Sequence, residues 1–176
     1  NRYSEKGNWY YEVVRSGFKY NLSDIQSAIG IPQLRRQESF QATRAAYAEV
    51  YNRAFSEVDE IEIPPTLPET RHAWHLYSIR LQLAKLELDR AEFISELKRR
   101  GVGMSVHFIP IPLHPYYREM FAGQPACERA LDLYPRLASL PLYPEMTEEQ
   151  VKFVIDQVKD TIMKAKRKVM VKAAGA

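Results

Sequence analysis

The segment from Ser23 to Ser56 most constrains the fold of this chain, because it predicts long helices bounded by polar signals. Ser23 can act as an N-cap, and Gln26 follows three residues later, which is the capping-box pattern of a helix N-terminus. Pro32 lacks a backbone N–H, so we expect the helix to kink or restart there. The long helix that follows has apolar side chains spaced to line one face, at Phe40, Tyr47, Val50, Tyr51 and Phe55.

Strand and helix patterns alternate after this segment. Residues 63–73 include three prolines within six positions, which predicts an irregular linker. From Tyr77 to Leu83 apolar and polar residues alternate, as in a strand with one buried face. Asp89 and Glu92 form a second capping box, and Gly101 stands where a helix C-terminus favours a positive φ.

Further segments are predicted towards the carboxyl end. The pattern from Met104 to Ile109 predicts a second strand, residues 110–115 a rigid loop, and residues 127–134 a short helix. Ser139 to Tyr143 is predicted as a short edge strand, and Thr147 as the cap of a last helix. The apolar stripe of that helix consists of Val151, Val154, Ile155, Val158 and Ile162.

These patterns together predict a small α/β layer preceded by a helical arm. A domain of this kind does not need the arm for its own core, yet an amphipathic arm must bury its apolar face against another surface. The sequence leaves two candidates open for that surface, a domain outside these residues or a partner chain.

The composition is that of a soluble globular protein, with 176 residues of which 45% are hydrophobic and 27% charged. No apolar run approaches the roughly 18 to 20 residues that span a bilayer, and no signal-peptide pattern is present, so we expect a cytoplasmic protein. The single cysteine, Cys127, excludes an internal disulfide and a multi-cysteine metal site. Asn1 is not an initiator methionine, and we expect the chain to begin within a longer protein.

The net charge of +3 comes from the carboxyl end, where five basic residues and no acidic ones lie within the last thirteen residues. The other 20 basic residues are outnumbered by 22 acidic ones. No aromatic interleaving or RNA-binding motif accompanies the basic tail, so a solvated helix end is favoured over a nucleic-acid or membrane contact.

The four histidines, His72, His75, His107 and His114, raise the question of a metal site. Zinc needs three or four converging ligands, whereas His72 and His75 would face opposite sides of a strand, which disfavours zinc. His107 lies in the second predicted strand, directly before a proline-rich loop. Two interpretations stay open for it: a polar group pointing into a cleft, or a satisfied core histidine.

Lys19 and Asn21 lie in the stretch from Gly17 to Gly30, just before the predicted start of the helix at Ser23. A cation and an amide donor beside the partial positive charge of a helix N-terminus favour an anion such as phosphate. The alternative is that Lys19 is solvated and Asn21 turns the chain. Glycine-rich phosphate loops and the G-x-S-x-G nucleophile motif are absent from the sequence.

Five blocks follow one another over about residues 9–160. They are GFKYNLSDIQSAIG, the helix with QLRRQESF and RAAY, HAWHLYSIR, RRGVGMSVHFIPIPLHPYYRE, and LASLPLYPEMT. In this combination the chain resembles the DegT-type sugar-nucleotide aminotransferases, which are pyridoxal-phosphate enzymes of the aspartate aminotransferase fold.

The resemblance implies an α/β fold class with an α+β small domain, the carboxyl-terminal portion of a fold-type I transferase. Residues 1–32 would then be the end of the large cofactor domain with a dimer-contact segment, and residues 33–62 the connecting helix. Residues 63–170 would form the small, three-layer-like carboxyl-terminal domain, and residues 171–176 a tail.

The resemblance also implies site residues. The family's Schiff-base lysine is expected upstream of Asn1, so no catalytic residue is expected in this chain, and the chain alone is expected to be inactive. Asn21, and after it Lys19, is expected to bind the phosphate of pyridoxal phosphate held by the other subunit of a homodimer, across the region from Gly17 to Gly30. Many relatives read G-Y-N-Y-R here, with asparagine at the position of Lys19.

Substrate contacts are implied at two places. His107 would approach the sugar, and Trp9, Tyr10 and Tyr11 would border the nucleotide. The implied reaction transfers an amino group from glutamate to a keto-sugar nucleotide in polysaccharide or glycan biosynthesis. Two alternatives remain: a non-catalytic regulatory or structural subunit with the family's dimer surface, and a relative that acts as a pyridoxal-phosphate-dependent sugar dehydratase.

Overall fold

A computed structural model describes residues 13–121 and 127–167 of the chain. The predictions for Trp9, Tyr10 and Tyr11 therefore lie outside the described residues. The chain divides into two compact units, Asn1–Gln37 and Glu38–Ala176.

Helix α1 (Asp24–Phe55) begins in the first unit and ends in the second. Its predicted capping box is confirmed: the Gln26 N–H donates to Ser23 Oγ at 3.3 Å, and the Ser23 N–H donates to Gln26 Oε1 at 2.9 Å. Of the two alternatives predicted at Pro32, a kink or a restart, the restart is wrong, because one helix runs through the proline. Pro32 removes a single ladder bond, to the carbonyl of Ala28, and that residue is exposed, so water can replace the lost donor.

The second half of α1 carries the buried positions of the helix, namely Gln41, Ala48, Tyr51 and Phe55. Tyr51 and Phe55 were predicted to lie on the apolar face, and both are fully buried. Phe40, Tyr47 and Val50 of the predicted stripe are half-buried. The expectation that this face would be buried by a domain outside these residues or by a partner chain is wrong for the second half of α1, because Tyr51 and Phe55 belong to the hydrophobic core of the second unit.

Within residues 13–121 and 127–167, three antiparallel strands form one sheet in the order β1-β2-β3, with β1 at Ile61–Glu62, β2 at Tyr77–Leu81 and β3 at Leu137–Leu140. Ile61 pairs with Leu81, and Tyr77 pairs with Leu140. Alternate residues of β2 are buried, as the sequence predicts. Strand β1 was not predicted, because two residues are too short to show a periodicity.

The predicted strand from Met104 to Ile109 is wrong. Only Ser105 pairs with the sheet, through an isolated bridge to Ser139 in which the two residues exchange backbone hydrogen bonds of 3.2 and 2.8 Å. Phe108 and Ile109 are exposed, so the end of the segment has no buried apolar face that would extend the strand beyond the bridge. The described sheet is therefore smaller than the alternating pattern suggested.

The described part of the chain contains four further α-helices, α2 at Arg90–Arg99, α3 at Pro115–Met120, α4 at Glu128–Leu133 and α5 at Glu148–Ala165. The capping boxes of α2 and α5 are both present, and Gly101 has a φ of +83° after α2. Helix α3 was not predicted, although proline at the first helical position is a known start signal and Pro115 occupies it.

One hydrophobic core joins α1, the sheet, α2 and α5 in the second unit. Its members come from α1, the buried face of β2, α2 and α5, for example Tyr51, Ile79, Phe93, Leu97 and Val158. Among the described residues no helix is long and apolar enough to cross a membrane. The mixture of helices with a small antiparallel sheet confirms the α+β character predicted for the small domain.

Candidate functional site

Lys19 and Asn21 lie in the irregular segment that leads into α1, and both residues are exposed. The neighbouring rings of Phe18 and Tyr20 are also exposed, with centroids 5.8 Å apart. Two nitrogen donors thus lie shortly before a capped helix N-terminus, on an open surface. They can meet an anion, but these residues alone do not enclose one.

His107 is held by a chain of side-chain hydrogen bonds. Its Nδ1 lies 3.1 Å from Ser139 Oγ, which in turn lies 2.9 Å from Ser78 Oγ. Ser139 is only 4% exposed, whereas His107 is half-buried. Of the two interpretations left open by the sequence, the structure contains elements of both: one ring nitrogen is tied to a buried hydroxyl while part of the ring remains accessible.

Ser139 and Ser78 were not identified from the sequence as parts of a site. Ser139 belongs to β3 and Ser78 to β2, and they are adjacent because these two residues pair across the sheet. Hydroxyls separated by this length of chain give no local motif. The strand pairing was the only signal that could have revealed them.

His72 has a structural role in the chain leading into β2. Its Nδ1 accepts a hydrogen bond from the Trp74 N–H at 2.9 Å, and its carbonyl accepts one from Gln41 Nε2 at 2.5 Å. The rings of His72 and Trp74 lie 4.1 Å apart. These contacts fix a turn in which Trp74 has a positive φ of 48°.

No three side chains of the metal-binding types, His, Cys, Asp and Glu, are grouped as a metal site requires within the part of the chain that the structure describes. His114 Nε2 lies 3.3 Å from the Ile109 carbonyl, within the loop that leads to α3. Cys127 is a free, exposed thiol.

Aromatic and aliphatic side chains are exposed along the segment after His107. Tyr117 stacks on Phe121 at 6.2 Å and meets His114 edge-on at 6.3 Å. This surface lies beside the candidate residue His107 in sequence. Its exposed members are Phe108, Ile109, Ile111, Leu113, Tyr116, Tyr117, Met120 and Phe121.

A cavity of about 550 Å³ between α2 and α5 has charged walls, but its cations Arg99, Arg100 and Lys164 are paired with carboxylates. Arg100 Nε donates to Glu96 at 2.5 Å, and the same guanidinium also donates to Asp160. Hydrogen bonds from these cations, Arg100 for Glu96 and Lys164 with Arg100 for Asp160, lower the pKa of both carboxyl groups. The cavity therefore presents a closed ion network rather than a free anion site.

Two buried tyrosines hydrogen-bond within the core, Tyr51 to the segment that follows β3 and Tyr77 to α1. The hydroxyl of Tyr51 donates to the Pro141 carbonyl at 2.9 Å, and that of Tyr77 donates to Asn52 Oδ1 at 2.9 Å. Burial raises the pKa of Tyr51 well above its usual range, with smaller contributions from Tyr77 and Tyr143. Burial, followed by the charge of Glu49, raises the pKa of Tyr77 in the same direction.

Comparison with known proteins places these features in a family. The model of the DegT/DnrJ/EryC1/StrS aminotransferase family matches residues 1–159. The spore coat polysaccharide biosynthesis protein SpsC of Bacillus subtilis is 42% identical over 164 residues, which are 92% of this chain and 42% of that protein.

Two solved structures have the same fold over most of the chain. PseC of Helicobacter pylori, an aminotransferase involved in the biosynthesis of pseudoaminic acid, has a TM-score of 0.76 at 26% identity, over 91% of this chain and 43% of PseC. Spr1654 of Streptococcus pneumoniae, described as a sugar aminotransferase and solved in its PLP form, has a TM-score of 0.75 at 29% identity, over 89% and 40% of the two chains.

The chain spans about 42% of the length of the curated relatives it matches. Aminotransferases of this family depend on pyridoxal phosphate, in agreement with the PLP form of the Streptococcus pneumoniae protein. With a family model that covers residues 1–159 and a fold shared with sugar aminotransferases, this chain belongs to the DegT/DnrJ/EryC1/StrS aminotransferase family.

Proposed function

We propose that this chain is the carboxyl-terminal part of a pyridoxal-phosphate-dependent aminotransferase that moves an amino group from glutamate to a keto-sugar nucleotide. The observation that carries the proposal is the family match over residues 1–159. The relationship to a spore coat polysaccharide biosynthesis protein supports a role in the biosynthesis of a polysaccharide or glycan. The protein would act in the cytoplasm, where nucleotide-activated sugars are made.

The residues before α1 fit the phosphate end of the cofactor. Asn21 offers an amide donor and Lys19 a positive charge, and both are exposed beside a helix N-terminus that favours anions. Pyridoxal phosphate, when bound, supplies the electron sink for amino transfer. In our proposal Asn21 is the principal phosphate donor, Lys19 is the second, and the two act on the cofactor of the partner subunit.

The dimer contact is proposed to lie across the region from Gly17 to Gly30. The exposed apolar side chains there support it, because monomeric proteins rarely expose a continuous group of large apolar residues. They are Phe18, Tyr20, Leu22, Ile25 and Ile29, each more than 60% exposed. In this arrangement residues 1–32 are the end of the large cofactor domain, and residues 33–62 connect the two domains. Residues 63–170 form the small domain, and residues 171–176 form the tail.

Substrate contacts complete the proposal. His107 would meet the sugar, and its half-exposed ring supports that role. Trp9, Tyr10 and Tyr11 would border the nucleotide. The Schiff-base lysine would be supplied by a segment upstream of these residues, so the 176-residue chain alone should not transaminate.

The activity can be tested with the complete protein, pyridoxal phosphate, glutamate and a panel of keto-sugar nucleotides. We expect glutamate to change the absorbance of the bound cofactor, and one of the sugar nucleotides to reverse that change. No spectral response to any amino donor would exclude the aminotransferase and favour a non-catalytic subunit. A response to donor without amination of any sugar would favour a different reaction, such as dehydration.

The phosphate contact can be tested by Asn21→Ala in the complete protein. Losing a hydrogen bond to a charged group should weaken cofactor retention by about 1 to 3 kcal/mol. The control is Gln37→Ala, which removes an exposed amide that lies within α1 and should leave cofactor retention unchanged. Equal retention in wild type and Asn21→Ala, measured by dialysis against cofactor-free buffer, would assign the phosphate to another residue.

A further inference from the structure

The chain of hydrogen bonds from Ser78 through Ser139 to His107 has a fixed geometry. The backbone of Ser139 exchanges two hydrogen bonds with Ser105, and it pairs with Ser78 across the sheet. Its side chain is almost completely buried, so its hydroxyl has few alternative partners. The separations of 3.1 Å to His107 Nδ1 and 2.9 Å to Ser78 Oγ are normal hydrogen-bond distances.

Two directions of donation satisfy this chain. In the first, Ser78 donates to Ser139 and Ser139 donates to Nδ1 of His107, which leaves the ring hydrogen on Nε2. In the second, Nδ1 carries the hydrogen and donates to Ser139, which donates to Ser78. An unprotonated imidazole nitrogen is a far stronger hydrogen-bond acceptor than a hydroxyl oxygen, so the chain is best satisfied when Nδ1 accepts from the Ser139 hydroxyl. The first direction is therefore the more stable.

The other ring nitrogen, Nε2, makes no hydrogen bond to any of the residues described in the structure. The ring as a whole is only half-buried, so a ligand can reach it. In the first direction Nε2 carries a hydrogen and can only donate.

We propose that Ser139 is a positioning residue that holds neutral His107 in the Nε2–H tautomer, so that the histidine donates a hydrogen bond to an acceptor oxygen of the sugar nucleotide. Ser78 completes the chain by donating to Ser139. That the acceptor oxygen belongs to a sugar nucleotide rests on the proposed function, whereas the tautomer of His107 does not. A site of this kind selects a substrate with an oxygen acceptor over an analogue that presents a donor.

The tautomer is measured directly by long-range ¹H–¹⁵N NMR spectra of the 176-residue chain, at a pH where the imidazole is neutral. We expect the ¹⁵N shifts of His107 to show a protonated Nε2 and an unprotonated Nδ1. The variant Ser139→Ala should populate both tautomers. The control Ser105→Ala changes an exposed side chain at the same bridge and should keep the wild-type pattern.

A wild-type spectrum with protonated Nδ1 would overturn the proposal. So would wild-type tautomer populations in Ser139→Ala. Should that variant not fold, Ser139→Cys retains the size of the side chain with a weaker donor, and an unchanged Nδ1 shift in it would equally contradict the proposal.

The substrate arm uses the complete enzyme. Ser139→Ala should lower kcat/KM for the sugar nucleotide about tenfold, the effect of one misdirected hydrogen bond, and leave the half-reaction with glutamate unchanged. An equal loss in both half-reactions would contradict the sugar contact. The predicted tautomer in a protein that aminates no sugar nucleotide would overturn the proposed function but not the tautomer assignment, so the two failures are distinguishable.

Discussion

Residues 13–37 and the described residues from 38 onward are both supplied with large apolar side chains, but only the second region buries a core. In the first region all nine of these side chains are at least half exposed. They are Val13, Val14, Phe18, Tyr20, Leu22, Ile25, Ile29, Ile31 and Leu34. In the second region 21 apolar residues between Ala48 and Ala165 form one buried cluster.

The difference shows which part of the chain is stabilised by its own packing. Burial of apolar surface is the main favourable term in folding, and from residue 38 onward it acts within the chain. Before residue 38 the first turns of α1 have a capping box but no buried side chain. Lys19 and Asn21 lie in this same region, so the proposed phosphate contact and the missing burial both call for one more surface.

Truncating a phenylalanine in each region should give the largest difference in stability between them. Phe93 in α2 is fully buried, and Phe93→Ala should reduce the free energy of unfolding by about 3 to 5 kcal/mol. Phe18 is 85% exposed, and Phe18→Ala in the 176-residue chain should change it by less than about 0.5 kcal/mol. Urea unfolding measures both, and similar losses would show that residues 13–37 have a core of their own.

Alkaline pH should destabilise the second region through Tyr51 and Tyr77. The pKa values of Tyr51 and Tyr77 are raised in the folded chain, whereas unfolded tyrosine titrates near pH 10. The stability that they contribute is fully present below about pH 10 and is lost as pH rises towards the folded pKa, because only the unfolded state releases the protons.

Each of these tyrosines adds a slope of up to about 1.4 kcal/mol per pH unit above pH 10. The free energy of unfolding, measured by urea unfolding at several alkaline pH values, should therefore fall less steeply with pH in the double variant Tyr51→Phe and Tyr77→Phe. The control is Tyr20→Phe, which changes an exposed ring in the first region. A slope in the double variant equal to that of wild type would contradict the burial argument.

Removing a helix cap in each region should give a smaller difference in stability between the two regions. Asp89 and Ser23 occupy equivalent capping boxes, but α2 is packed into the core and the first turns of α1 are not. Asp89→Ala should cost about 1 kcal/mol of global stability. Ser23→Ala should fray α1 locally, with a smaller change in the urea midpoint. A larger loss from Ser23→Ala than from Asp89→Ala would reverse the assignment of the stable region.

Local signals in the sequence predicted much of this fold. The capping residues Ser23, Asp89 and Thr147 each start a helix, and Gly101 ends one with a positive φ, because these signals act within a few residues. The strand predicted from Met104 to Ile109 failed for the opposite reason. Its alternation is local, but a strand requires a paired neighbour, and only Ser105 has one.

The residues of the candidate site also fall into those with a local signal in the sequence and those without one. Lys19, Asn21 and His107 were predicted because each lies in a local pattern, before a helix cap or before a proline-rich loop, that is also part of a block resembling the family. Ser139 and Ser78 were missed because their contact with His107 depends on the register between β2 and β3. Long-range register cannot be derived from the spacing of residues along one segment.

Hydrogen exchange tests the central claim most directly, that residues 13–37 are completed by a surface outside this chain. Deuterium uptake would be followed by mass spectrometry in the 176-residue chain and in the complete protein. We predict fast exchange of peptides from residues 13–37 in the chain alone and strong protection in the complete protein, with little change in the core peptides of α2 and α5. Equally fast exchange of residues 13–37 in both samples would contradict the account.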